Sequence, residues 1–224
     1  MGTRAALCLI LLAAPFAPLA AETDTRIGRK VVDEIKVYSW DSGTRVWHEG
    51  PVIKKRIFYF SASGRLAREE ITDGQGALLE KTDYAYEGTT VRKTVRDPQG
   101  NVIRRSRVER DGALETETVI SPGGEILFTF VIELTTDGRI KEKRRFLESG
   151  ELLFLHVFLY DERGLLSAVE VRNPDGSVAV RISYRYPRVD QNGSWRTREE
   201  YYSYGDVGLR PHEVVYRTEE EWTG

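Results

Sequence analysis

The sequence predicts an all-β protein, a long antiparallel meander built from tandem strand–turn units of about twelve residues, two of which make one hairpin repeat. Three observations predict this fold class. Glycines recur at a nearly constant spacing, turn-forming residues surround them, and the segments between them alternate apolar and polar side chains. Because successive side chains of a strand point to opposite faces, such alternation is typical of a half-buried strand.

The glycine spacing sets the length of each unit. From Gly64 to Gly124 the glycines are twelve residues apart without exception, later spacings up to Gly176 are twelve or fourteen, and Gly193 follows after seventeen. The residue two places after the glycine is apolar in ten of eleven cases when Gly193 is included, which defines the phase of the repeat. The predicted turn glycines are Gly64, Gly76, Gly88, Gly100, Gly112, Gly124, Gly138, Gly150, Gly164 and Gly176.

The residues around these glycines favour tight hairpin turns. The stretches DPQGN at residues 97–101 and NPDG at residues 173–176 combine proline, aspartate, asparagine and glycine. Proline presets φ early in a turn, and glycine accepts the positive φ that closes a hairpin loop. Consecutive turns therefore lie at opposite ends of the sheet.

The segments between the turns predict the strands. Residues 177–186, SVAVRISYRY, place valine, isoleucine and tyrosine on one face and mostly serine and arginine on the other. Two segments differ from this pattern. Residues 151–160 are apolar on both faces, so we expect cover on both sides, whereas residues 102–110 carry charges on both faces and suit an edge or a single-layer stretch.

The number of strands predicts curvature. A sheet of roughly a dozen strands normally twists or folds over on itself. We therefore expect a strongly twisted sheet, curled into a coiled or two-layer form. Its core is predicted near Phe128, Phe130, Phe154, Phe158 and Tyr184.

The N-terminus has the form of a secretory signal peptide. It contains Arg4, an apolar run that is too short to span a bilayer, and small residues ending at Ala20 or Ala21. The sequence thus predicts a signal peptide at residues 1–21 and one β-repeat domain at residues 22–224. Cleavage would remove Cys8, the only cysteine, and leave an exported protein, periplasmic or secreted, without a transmembrane segment.

One repeat resembles the YD (RHS-like) repeat of bacterial exported proteins. The pattern Tyr-Asp, two residues, Gly, one residue, Leu occurs at Tyr160, Asp161, Gly164 and Leu166. Degenerate copies end at Leu66, Ile140 and Leu152, and the resemblance covers most of residues 50–222. It implies that these positions are turn and core residues, as in small stand-alone members, and it supplies no catalytic residue.

Motifs for chemistry are few. The formal net charge is −2, which gives no reason to expect a nucleic-acid partner. His48, His156 and His212 lack metal-ligand spacing, and no phosphate-binding or nucleophile motif occurs. The sequence therefore predicts no cofactor, no metal site and no catalytic residue.

Aromatic residues near the C-terminus form the predicted binding surface. Trp195, Tyr201, Tyr202 and Tyr204 lie close together in the chain, and exposed aromatic rings can stack on sugars or anchor a partner. The alternative is that they seal the open end of the sheet.

The functional hypothesis is an exported, non-enzymatic binding or structural module of the bacterial envelope, with an envelope protein or polysaccharide as its partner. One alternative is a hydrolase of an envelope polymer that uses carboxylates from adjacent strands. A more remote alternative is an outer-membrane β-barrel. That alternative needs an apolar lipid-facing side on every strand, and RIKEKRRFLE at residues 139–148 interrupts it.

Overall fold

The computed structural model describes residues 27–204 and 208–221, and within them fourteen antiparallel strands close into a barrel. The strands are β1 (Ile27–Asp41), β2 (Val46–Ser61), β3 (Leu66–Asp73), β4 (Leu78–Glu87), β5 (Thr90–Arg96), β6 (Val102–Asp111), β7 (Leu114–Ile120), β8 (Ile126–Leu134), β9 (Ile140–Leu147), β10 (Leu152–Tyr160), β11 (Leu166–Arg172), β12 (Val178–Val189), β13 (Trp195–Ser203) and β14 (Arg210–Glu221). The predicted signal peptide and its cleavage site lie outside the described residues.

Each strand pairs with the next along the chain, so the predicted antiparallel meander is confirmed. The first strand also pairs with the last, from Arg29 opposite Glu221 to Val37 opposite Glu213. The coiled or two-layer sheet is therefore not what forms, and the sheet curls into a closed ring instead. Closure gives both edge strands a partner, which an open sheet of this length would lack.

The turns define two ends of the barrel. The upper rim carries turns 42–45, 74–77, 97–101, 121–125, 148–151 and 173–177, and the lower rim carries turns 62–65, 88–89, 112–113, 135–139, 161–165 and 190–194. Every predicted turn glycine lies between two strands with a positive φ, for example 79° at Gly164 and 87° at Gly176. Side chains other than glycine rarely adopt this conformation, which explains the regular glycine spacing.

The Tyr-Asp pair organises one lower turn. Asp161 accepts hydrogen bonds through Oδ1 from the backbone N–H groups of Arg163 at 3.0 Å and Leu165 at 2.8 Å. The Tyr160 hydroxyl donates to the Ile140 carbonyl at 2.8 Å. The aspartate thus shapes its own turn, while the tyrosine joins it to the preceding lower turn.

The tyrosine bond recurs along the lower rim. Tyr86 donates to the Leu66 carbonyl at 2.9 Å, and Tyr186 donates to the Leu166 carbonyl at 2.8 Å. Each bond spans twenty residues, as the bond from Tyr160 also does. The accepting residue stands two places after a turn glycine. The position that defines the phase of the repeat in the sequence therefore also accepts the hydrogen bond that links one lower turn to the next.

Burial distinguishes the inside of the barrel from the outside. In β6, Ser106 and Val108 are buried, while Arg105 and Arg107 on the opposite face are exposed. Residues that are paired across neighbouring strands point to the same face, so the buried face of β6 continues onto β5, β7 and β8. A closed single-layer wall has one concave side, so the buried face is the interior.

The largest apolar core lies in the lower half of the interior, on β8–β12. Phe158 and Tyr184 belong to it, as the sequence predicts, but Phe128, Phe130 and Phe154 are only half-buried because they stand higher on their strands. The outward side chains of β10 are also left half-exposed, so the expected cover on both sides of this strand is not found. The buried members of the core are Ile132, Leu134, Ile140, Phe158, Leu166, Val169, Ile182 and Tyr184.

Candidate functional site

Exposed apolar side chains gather at one end of the barrel. Twelve large apolar residues are exposed in the described part of the chain, and all except Leu114 lie at or near the upper rim. We call these eleven residues the apolar rim: Trp40, Val46, Ile53, Leu79, Ile103, Ile126, Leu127, Leu147, Val178, Tyr204 and Leu209. Because they come from strands and turns all around the ring, they are distributed around the whole upper rim and are not confined to one side of the barrel.

The repeat phase explains this asymmetry. At the longer lower turns the apolar residue two places after the glycine points inward, and Leu166 is 2% exposed and Ile140 9%. Leu114, which follows the two-residue turn 112–113, points outward and is the exception. At the upper rim the equivalent residue points outward, and Ile126 is 42% exposed and Val178 45%. The same position of the repeat therefore supplies core residues at the longer lower turns and outward-pointing residues at the upper turns.

A hairpin tip formed by β1 and β2 extends the upper rim. From the register of Tyr38 with Glu49 to that of Asp41 with Val46, these strands pair only with each other. The Trp40 and Trp47 rings meet near the tip with centroids 5.3 Å apart, and Val46 beside them is 49% exposed. The tip thus presents aromatic and aliphatic side chains beyond the wall of the barrel.

The outer wall below the apolar rim is polar. Its outward side chains include many opposite charges that pair between neighbouring strands or along one strand. Examples are Glu34 with Lys55 at 2.6 Å, Arg68 with Asp83 at 3.2 Å and Glu170 with Arg181 at 2.9 Å. Such pairs are typical of a sheet face in contact with water.

The interior is charged as well as apolar. Asp33 accepts two hydrogen bonds from Arg217, both at 2.7 Å, and is only 5% exposed. Further inward pairs are Lys93 with Glu117 at 2.8 Å and Arg198 with Glu200 at 2.6 Å. Buried charges need such partners, so these pairs constrain how the wall strands fit together.

Two carboxylates stand opposite each other on the inner wall. Glu200 on β13 is the register partner of Glu213 on β14. Burial, and then the neighbouring Glu200 charge, raise the pKa of Glu213 to about 7. This is a carboxylate pair from adjacent strands, the arrangement that the hydrolase alternative requires, and that alternative stays a prediction.

The four aromatic residues predicted as a binding surface are distributed over different environments. Trp195 is 7% exposed and packs inside the lower end against Ile35 and Val215. Tyr201 points outward, and its hydroxyl donates to Glu199 at 2.7 Å. Tyr202 stacks on His212 with ring centroids 4.2 Å apart, and Tyr204 belongs to the apolar rim. The structure therefore does not bring the four together on one face.

Sequence reasoning missed the apolar rim, although its signal was present. The apolar residue two places after each glycine is visible in the sequence as the phase of the repeat, but only the register between strands shows that it points outward at the upper turns. No helix among the described residues is long and apolar enough to cross a bilayer. The described residues also contain no group of three or more histidine, cysteine, aspartate or glutamate side chains arranged to hold a metal ion.

Comparison with known proteins gives distant structural likenesses. No family model and no curated protein matches the chain. A porin-like protein from Bacteroides uniformis is similar over 87% of this chain and 96% of its own, with 12% identity and a TM-score of 0.49. A DUF1329 family protein from Desulfovibrio piger is similar over 90% of this chain and 88% of its own, with 8% identity and a TM-score of 0.32. The Photorhabdus luminescens Tc holotoxin pore matches 79% of this chain and 11% of its own, with 14% identity and a TM-score of 0.16.

Proposed function

We propose that this chain is an exported envelope protein that docks the apolar rim of its barrel onto a lipid surface. The observation that carries the proposal is the distribution of exposed apolar side chains, eleven of twelve of which lie at one end. A concentration of exposed apolar side chains at one end of a protein marks a candidate interaction site. The sequence predicts a binding module, and the proposal names a lipid surface as what it binds. The absence of enzymatic activity remains part of the proposal.

A lipid surface fits the shape of the apolar rim better than a single protein partner does. The residues surround the ring, so a planar lipid boundary that takes up the β1–β2 tip can contact residues on all sides of the ring at once. The Trp40–Trp47 tip adds aromatic rings, which favour the boundary between lipid and water. The polar turns at this end include the acidic Asp97 and Asp175, so we expect apolar burial, and not attraction to anionic lipid, to drive docking.

The outer-membrane barrel is the second candidate, because it shares the closed barrel. A spanning barrel carries an outward apolar band about 25 Å tall. Here the charged pairs of the outer wall begin directly below the apolar rim, as with Glu34 and Lys55. This arrangement favours shallow insertion of one end over spanning.

Vesicle flotation tests the proposal. The mature chain is mixed with phosphatidylcholine vesicles, and we expect it to float with them at both low and high salt. Ile103→Glu and Leu127→Glu should each weaken binding by about tenfold or more, because each places a charge where an apolar side chain enters lipid. Leu114→Glu is the matched control, since Leu114 is equally exposed at the opposite end.

The outcomes separate the candidates. Equal loss of binding in the Leu114→Glu control, or no flotation of the wild type, would refute docking through the apolar rim. Self-association of the wild type without vesicles, abolished by Ile103→Glu, would assign the apolar rim to a second copy of this chain instead. Resistance of cell-associated protein to alkaline carbonate extraction would favour the spanning barrel, whereas release would favour docking.

A further inference from the structure

The upper half of the barrel interior contains an aromatic and cationic site that the docking proposal does not use. Phe128 and Phe130 on β8 and Phe154 on β10 point inward, and all three are half-buried. Lower in the same interior, Phe158 and Ile132 are each 7% exposed. The lower interior is therefore filled, while the rings above it still face accessible space.

Two cations from β9 lie against these rings. The Lys143 Nζ is 3.7 Å from the centre of the Phe130 ring, and the Arg145 Cζ is 4.2 Å from the centre of the Phe128 ring. Register places Arg145 opposite both Phe130 and Phe154, so the guanidinium stands between two aromatic strands. Cation–π contact orients the Arg145 guanidinium without using its hydrogen-bond donors.

One of these donors lacks an acceptor. The Nε of Arg145 is buried and has no hydrogen-bond partner among the described residues. A buried donor without an acceptor is costly and rare in folded proteins. An anion bound beside Arg145 would supply the missing acceptor.

The neighbouring groups leave the site positively charged. Burial, and then the Lys143 charge, lower the pKa of His156 to about 4, so its ring is neutral at physiological pH and adds no charge. Glu117, an inward carboxylate that interacts electrostatically with Lys143, also bonds Lys93 at 2.8 Å. The site thus combines aromatic rings with the positive charges of Arg145 and Lys143.

From this arrangement we infer that the upper interior binds an anionic amphiphile, an alkyl chain with a carboxylate or phosphate head. The head lies at Arg145 and Lys143, and the chain lies along Phe128, Phe154 and the rim residue Leu147. The inference rests on the proposed docking, because the mouth of this interior is encircled by the apolar rim and a lipid surface is the source of such a ligand. Charged hydrogen bonds give the head its position, and the rings give the chain an apolar wall.

Displacement of dansyl-labelled undecanoic acid from the mature full-length protein tests the inference. Dodecanoate and dodecyl phosphate should both displace the probe, dodecanol should do so at least about tenfold more weakly, and inorganic phosphate should not compete. A tighter dodecanoate assigns a fatty-acid head, a tighter dodecyl phosphate assigns a phospholipid-type head, and either result supports the inference.

A variant locates the head group. Arg145→Met should weaken dodecanoate binding about tenfold or more, whereas Arg105→Met on the outer wall should leave it unchanged. If Arg145→Met does not fold, as circular dichroism would show, the comparison of dodecanoate with dodecanol on the wild type still decides. Equal binding of the acid and the alcohol, or full affinity in folded Arg145→Met, would overturn the inference. Flotation with vesicles combined with no probe binding would overturn it while leaving docking intact.

Discussion

Glu213 makes the stability of this barrel depend on pH in an unusual direction. Its pKa is about 7 in the folded protein against an ordinary value of 4.5, because the carboxyl is buried and faces Glu200. The folded state therefore holds this proton more tightly than the unfolded state does. The contribution of Glu213 to stability is fully present below about pH 4.5 and is lost as the pH rises through about 7.

The magnitude follows from the two pKa values. A difference of about 2.5 corresponds to about 3 kcal/mol in the free energy of unfolding, at roughly 1.36 kcal/mol for each pKa unit. Glu213→Gln keeps the size of the side chain but cannot ionise. We expect this variant to be more stable than the wild type by up to about 3 kcal/mol near pH 8 and nearly unchanged near pH 4.5.

Urea unfolding followed by tryptophan fluorescence measures the effect. With a slope of about 2–3 kcal/mol per molar urea, the midpoint of the variant should rise by about 1 M near pH 8. Glu220→Gln is the control, because Glu220 is exposed and its pair with Lys30 at 3.3 Å is a surface contact. Wild-type and Glu213→Gln midpoints that run parallel from pH 5 to 8 would refute the assignment of Glu213 as a buried, repelled carboxyl.

Three further substitutions test the wall and its turns by the same unfolding assay. Gly176→Ala should cost about 1–2 kcal/mol, because its φ is 87° and no atom lies near the added methyl; Gly208→Ala, which lacks a positive φ, should cost less, and equal losses would contradict the argument. Arg217→Met should cost about 3–5 kcal/mol by leaving Asp33 buried and unpaired, and most of this should return in a double variant that also carries Asp33→Leu; no recovery would refute the explanation. Tyr160→Phe should cost about 1 kcal/mol through loss of its bond to a backbone carbonyl, and an unchanged midpoint would mean that the bond adds no net stability.

The local structure was predictable because the sequence repeats it. Positive φ at Gly100, Gly124 and Gly176 is a requirement of the chain itself, and glycine meets it at almost no steric cost. The alternation in β12 between inward Ile182 and outward Arg181 is visible in the sequence for the same reason. Strand order followed directly, since each hairpin turn leaves the next strand only one neighbour to pair with.

Closure and the apolar rim were not predictable from these local patterns. Whether β1 meets β14 depends on the summed twist of every strand pair, to which no single residue contributes a visible signal. The direction in which Ile126 or Leu166 points depends on that closed register. Alternation along the strand predicts that Tyr201 and Tyr202 lie on opposite faces of the sheet. It does not predict which of the two faces becomes the interior of the barrel.

The pairing of Arg29 with Glu221 constrains how the repeats can multiply. A linear array of repeats can grow at either end without disturbing the units already present. A ring cannot, because one additional hairpin widens the circumference and changes the tilt and spacing of every strand. The repeat count of this chain is therefore a property of the whole molecule, and duplication of a single hairpin would either open the ring or require the entire interior to be packed anew.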